Sequence, residues 1–124
     1  LAPGVRLGEL NEISTEAQYH AALAGAGKRL VVIDWFASWC GPCRMIAPFV
    51  KELAERHTDV VFLSVNSDNV RPLMMANGVN AFPTFHFRRD GALVNTLRGA
   101  NKDRLAAILD QEILNAVVAM SATD

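Results

Sequence analysis

Hydrophobic spacing changes character several times along the chain, and each change marks an element. Residues 30–37 (LVVIDWFA) are apolar almost throughout, which predicts a strand buried on both faces rather than an alternating surface strand. Ile46, Phe49, Val50 and Leu53 then fall at i, i+3, i+4 and i+7, one face of a helix running to about residue 56. Pro48 lies inside it and has no N–H for the Arg44 carbonyl, so a kink is expected there. Residues 60–65 form a second buried strand, and residues 70–76 a short helix ended by Asn77-Gly78. Residues 84–88 and 93–97 are strands joined through Arg89-Asp90-Gly91. Asn101 caps a last helix in which Leu105, Ile108, Leu109, Ile113, Ala116 and Val117 share a face.

Near the start, Ser14-Thr15-Glu16 opens a helix to about residue 24, with Ser14 as its N-cap, and Gly25-Ala26-Gly27 breaks it. Residues 5–10 are expected to add an edge strand. The alternation predicts an α/β fold, a sheet with helices on both sides that ends in an antiparallel hairpin. No linker, repeat or charge block divides the 124 residues, so one domain is expected over 1–124, with its core at about 5–113 and a helical extension at 114–124.

Composition narrows the function. Twelve Lys+Arg against thirteen Asp+Glu leave a net charge of −1, without the basic stripe that nucleic acid demands. The apolar runs at 30–33 and 117–120 fall far short of the roughly 20 residues of a membrane span. Neither nucleic acid nor membrane is therefore expected as a partner.

The two cysteines, Cys40 and Cys43, are three positions apart. So small a loop constrains the unfolded chain least, and reactivity or metal binding explains it better than stability. Half of a structural zinc site has this spacing, but His20, His57 and His86 lack the paired spacing of a second half, and no metal is expected. Trp39-Cys40-Gly41-Pro42-Cys43 sits where a buried strand meets a helix N-terminus. Unpaired N–H groups and the positive end of the helix dipole stabilise a thiolate there and lower its pKa. Cys40, at the cap, is expected to be the more exposed sulfur, with Cys43 one turn inward. Pro42 fits the first turn, where its missing N–H has no helical partner anyway. The arrangement suits thiol–disulfide exchange: Cys40 attacks a partner's disulfide, and Cys43 resolves the mixed disulfide. Other positions leave two readings each. Asp34 is a strand-end carboxylate or a desolvated acid, and Trp39 is core or surface.

A C-x-x-C beside a βαβ pattern is a redox motif, and here it stands within a longer ordered set. VVIDWFASWCGPCRMIAP (31–48), FLSVNSD (62–68), GVNAFPTFHFRRDG (78–91) and RGANKDRL (98–105) together resemble the thioredoxin family, with WCGPC in that family's active-site form. The resemblance implies the thioredoxin fold, a central mixed β-sheet of four to five strands flanked by helices on both faces. It implies a buried Asp34 beneath Cys43 that exchanges a proton as the mixed disulfide resolves. It also implies a cis-proline loop at Phe82-Pro83 facing the cysteines, and an exposed Trp39. A docking patch for extended polypeptide would comprise Trp39, Gly78, Val79, Ala81, Phe82, Pro83, Gly99 and Ala100. Met74 and Met75 are assigned to helix packing instead.

Two positions depart from the family. Phe36 stands where a tryptophan is frequent, and residues 62–66 hold no lysine to face Asp34. The implied activity is protein-disulfide reduction by a monomeric cytoplasmic carrier acting on disulfide-containing proteins. Such a carrier binds no cofactor, and its Cys40–Cys43 disulfide is recharged by an NADPH-dependent thioredoxin reductase, since no nucleotide fingerprint occurs in this chain. Two alternatives are an adaptor domain within a larger assembly and an oxidant or isomerase, which differs from a reductase in redox poise.

Overall fold

The computed structural model describes residues 1–121. Its strands are β1 (Leu10–Ile13), β2 (Val31–Phe36), β3 (Val61–Asn66), β4 (Thr84–Arg89) and β5 (Ala92–Arg98). Its helices are α1 (Glu16–Gly25), α2 (Gly41–Arg56), α3 (Arg71–Ala76) and α4 (Lys102–Ser121), with a 3-10 turn at Ser67–Asn69. The sheet order is β1-β3-β2-β4-β5. β2 lies at its centre, parallel to β3 and antiparallel to β4, as a run that is apolar but for Asp34 requires.

Because side chains alternate along a strand, β2 feeds two cores. Val31, Ile33 and Trp35 meet Tyr19 and Ala22 of α1 and Leu73 of α3. Val32 faces the other way, with Phe85 and Phe87 of β4, against Ile46, Val50 and Leu53 of α2 and Leu105 and Leu109 of α4. Asp34 shares that second direction. α2 continues from Gly41 to Arg56 with Pro48 inside it.

Several local expectations change. The first helix is capped by Thr15, not Ser14: Gln18 N–H donates to Thr15 Oγ1, and the Gln18 side chain accepts from Thr15 N–H. This reciprocal pair satisfies two donors at once. The edge strand is Leu10–Ile13 rather than 5–10. Upstream, Gly4 and Gly8 take positive φ and turn the chain, and the Asn11 amide binds the Arg6 backbone, the Glu9 carbonyl and Phe62 O of β3. A satisfied buried amide therefore sets where pairing starts. Asp90 and Gly91, both at positive φ, close the β4–β5 hairpin in two residues.

α4 runs for 20 residues. Leu105, Leu109 and Ala116 are buried, but Val117 is 49% exposed, contrary to its expected place on the buried face. The helix continues through the expected extension as far as Ser121, and positions 122–124 lie outside the described residues. Met75 is 72% exposed, so only Met74 packs as expected. No helix among the described residues is long and apolar enough to cross a membrane.

His86 of β4 is buried and accepts from the indole N–H of Trp35 at 3.1 Å. Burial first, then the charges of Arg88 and Arg98, lowers its pKa to about 4. The unfolded state therefore binds the proton more readily, so His86 costs the fold stability as pH falls from about 6.5 towards 4. His86→Gln, which keeps an acceptor, should flatten this limb by on the order of 1 kcal/mol relative to the parent chain, measured by urea unfolding at pH 7 and pH 4.5.

Candidate active site

β2 delivers the chain to the start of α2, and Cys40 is that helix's N-cap, in extended conformation at φ −88° and ψ 112°. Pro42 sits in the first turn. Cys43 N–H donates to Cys40 Sγ at 3.2 Å, so one of the helix's unpaired donors is spent on the sulfur. Cys40 and Cys43 are joined as a disulfide with Cα atoms 5.3 Å apart. The two residues are equally exposed, at 4% each, which corrects the expectation that Cys40 would be the more open. Both belong to a small cluster with Ala37, against which Phe36 and Phe82 pack. That cover shields Cys40 as much as Cys43 while the disulfide is closed.

The loop before Cys40 is clamped from two sides, which sequence reading missed. Asp68 accepts from Ser38 N–H at 3.4 Å and from Ser38 Oγ at 3.2 Å, and Arg44 donates to the Ser38 carbonyl at 2.9 Å. Asn66 accepts from Asp68 N–H and holds that turn in place. A polar residue just after β3 was the only signal, and such residues are common at strand ends.

Asp34 is buried at 4% exposure, and its Oδ1 has no hydrogen-bond partner among the described residues. Burial alone pushes its pKa up to about 7. Its direct neighbour on β3 is Ser64, an uncharged residue. Asp34 and Cys43 line one cleft of about 210 Å³, so the acid and the inner cysteine face a common space.

The Phe82–Pro83 peptide is cis. Trp39 is 68% exposed, and its ring meets that of Phe82 edge to face at 5.8 Å. Gly78 and Ala81 are exposed, while Gly99 and Ala100 are partly so. Gly99 N–H donates to the Pro83 carbonyl, which ties the start of β4 to the end of β5. Val79 departs from the expected patch. It is buried in the core beside α3, with its N–H on the Met74 carbonyl, because an apolar β-branched side chain at the end of that helix gains more by burial. Pro83 is buried as well. The histidines do not gather at the cysteines: His86 is held by Trp35, and His20 pairs with Glu16 on α1.

A closed dithiol at a helix N-cap, above a buried acid and beside an exposed aromatic, on a five-stranded mixed sheet, defines a thiol–disulfide oxidoreductase. The thioredoxin family model matches residues 11–111, and the chain belongs to the thioredoxin family. It is 39% identical to the thioredoxin of Ovis aries over 104 residues, covering 84% of this chain and 99% of the sheep protein. It is 38% identical to that of Homo sapiens, covering 82% and 97%. Among solved structures, poplar thioredoxin h superposes with a TM-score of 0.83 at 33% identity, covering 85% of this chain and 96% of that one. A chain from a complex of ferredoxin:thioredoxin reductase with thioredoxin f2 gives 0.82 at 32% identity, covering 87% and 98%. The activity is protein-disulfide reduction, and the redox group is the chain's own disulfide.

Raised in the fold, the Asp34 pKa opposes stability at high pH. The folded state holds that proton up to about pH 7, whereas a free Asp loses it near 3.8. Stability is therefore lost as pH rises through this window. Asp34→Asn should stabilise the oxidised protein by roughly 2–4 kcal/mol at pH 8 and by less at pH 5, read from denaturant midpoints at the two pH values.

Proposed function

We propose that Cys40 is the attacking nucleophile, Cys43 the resolving thiol and Asp34 the group that exchanges a proton with Cys43. The observation that carries this reading is the donation of Cys43 N–H to Cys40 Sγ at the N-terminus of α2. On reduction the same donor and helix dipole favour a thiolate at Cys40 over one at Cys43. In the forward reaction the Cys40 thiolate attacks a partner's disulfide, which releases one partner thiolate and leaves a mixed disulfide. Cys43 then gives its proton to the Asp34 carboxylate and attacks Cys40. The Cys40–Cys43 bond forms, the bond to the partner breaks, and the second partner sulfur leaves as a thiolate that takes a proton from water. Asp34 suits the step because an acid whose pKa lies near neutral can both accept and release a proton there. Gly41 and Pro42 keep the turn between the sulfurs short.

Extended segments of disulfide-containing proteins dock across Trp39, Gly78, Ala81, Phe82, Gly99 and Ala100, beside Pro83. Among the described residues the Phe82 N–H and carbonyl take no backbone partner, which leaves them for strand-like pairing with a substrate. Oxidised protein is recharged by an NADPH-dependent thioredoxin reductase; the complex of the thioredoxin f2 neighbour with ferredoxin:thioredoxin reductase supports a reductase partner but not the NADPH-dependent type. One chain covers both faces of its own sheet, which supports a monomeric carrier. The compartment we assign is the cytoplasm: both cysteines serve the redox pair and none is left as a structural staple.

Insulin reduction under dithiothreitol, followed as turbidity, tests the reading. The parent chain should accelerate it, and Cys40→Ser should fall to the rate of dithiothreitol alone. Cys43→Ser should accumulate a mixed disulfide visible by mass. Asp34→Asn should slow resolution at pH 7 by about tenfold or more. NADPH with a thioredoxin reductase should replace dithiothreitol. A parent chain with no acceleration points to an adaptor instead. Trp39→Ala should raise the KM for insulin several-fold while leaving the exchange of a small disulfide unchanged.

A further inference from the structure

The segments that border the docking patch carry cations. Arg44 of α2 reaches back to the Ser38 carbonyl, directly before Trp39. Arg71 opens α3, three residues beyond Asp68, which holds Ser38 from the other side. Arg98 ends β5 opposite Thr84, and the next residue, Gly99, donates its N–H to the Pro83 carbonyl. Lys102 and Arg104 begin α4 just past Ala100, with Lys102 Nζ 5.9 Å from the centroid of the Phe49 ring of α2. All five side chains are exposed, and among the described residues none is in an ion pair. The same segments hold two exposed acids, Asp68, which accepts from Ser38, and Asp103. Glu16, at the start of α1 beyond the edge strand, is paired with His20. This local excess of cations stands on a chain whose net charge is −1.

Helix energetics do not account for the pattern. A helix N-terminus carries partial positive charge and favours acids. Yet α2 and α3 have no acid in their first turns, and α4 sets Lys102 and Arg104 on either side of Asp103. Charges placed against a local preference at three helix starts around one site point to binding rather than to stability.

We propose that these five cations form a collar that selects clients, so that the disulfides reduced fastest are those flanked by Asp and Glu. The inference rests on the docking of extended polypeptide across Trp39 and Phe82 given above, and adds the charge of the segment that docks. The centre of the surface is apolar, with Trp39 68% exposed, and the reacting group there is a disulfide, so the occupant is a polypeptide rather than a nucleic acid. Side chains of a bound strand alternate in direction, which lets acids beside the cystine turn to the rim while the backbone pairs with Phe82. Arginine suits that rim because its planar fork meets a carboxylate with two N–H groups. Charges at the rim act over about 8 Å at physiological salt, so an acidic client gains on encounter as well as when docked. The collar acts before the Cys40 thiolate attacks and adds no bond-making step.

The test uses three synthetic peptides of equal length, each with one disulfide, that differ only in having Glu, Gln or Lys beside the cystine. Second-order rate constants for their reduction by the reduced protein are read by acid quench and mass spectrometry. At about 0.01 M salt the Glu peptide should react roughly tenfold faster than the Gln peptide, and the Lys peptide more slowly than either; at about 1 M salt all three should agree within about twofold. Arg71→Gln, Arg98→Gln, Lys102→Gln and Arg104→Gln, made together, should bring the Glu-to-Gln ratio to within about twofold at low salt. Because the ratio compares two clients of one protein, a change in Cys40 reactivity cancels from it. Lys102→Glu with Arg104→Glu, which suits the start of α4, should lower the ratio by about threefold or more and keeps the test decisive if the fourfold variant does not fold. A parent ratio near one, or a parent ratio that persists in both variants, overturns the collar. If Trp39→Ala still slows all three peptides, the docking reading stands without it; if Trp39→Ala slows none, the docking reading and the collar fall together.

Discussion

The donation of Cys43 N–H to Cys40 Sγ is the contact on which the site depends. It exists because a helix begins at Gly41, and a helix start leaves N–H groups without carbonyl partners. A sulfur placed at the cap receives one of them and the positive end of the dipole together. The rest of the fold serves to put that helix start at the end of a rigid central strand. β2 is held by β3 on one side and β4 on the other, and its two apolar faces are covered by separate helix pairs. The cap residue therefore has little freedom, and the Asp68–Ser38–Arg44 contacts remove more of it from the connecting loop.

Asp34 is the place where the fold gives up stability. An apolar side chain in its position would pack against α2 without cost, yet a carboxyl without a protein partner for one oxygen stands there. That cost is small below the pH at which a free Asp ionises, near 3.8, grows as pH rises, and levels off once the folded acid ionises at about 7. The position makes chemical sense because the same face of the sheet carries α2, and hence Cys43, so an acid pointing that way shares a cleft with the resolving sulfur. His86 is the counterpart on the opposite face. It too is buried among apolar groups, but it is satisfied by the Trp35 indole and lies away from the cysteines, which marks it as structural.

Much of this was legible in residue order. The run at 30–37 gave the central strand because only a strand covered on both faces tolerates such a sequence. Positions 46, 49, 50 and 53 gave α2 through their spacing, and Cys40 followed as the residue between the two. Errors fell where local signals compete. Ser14 and Thr15 both suit an N-cap, and only the reach of Gln18 chose between them. The edge strand moved because one amide, Asn11, binds Phe62 O on a strand far along the chain. Val79 and Val117 exchanged expected environments: the first is buried in the core beside α3, while the second is 49% exposed on α4.

By itself the sequence determined the order of elements, the two-faced central strand and the pairing of two sulfurs at a helix start. These depend on side-chain period and on neighbours within a few residues, which order along the chain fully specifies. Only tertiary structure decided that both cysteines are equally covered, that Asp34 lacks a partner on one oxygen, and that Asp34 shares a cleft with Cys43. Each of these is a relation among β1, β2, β3 and α2, whose facing side chains are set by sheet register and helix packing rather than by distance along the chain.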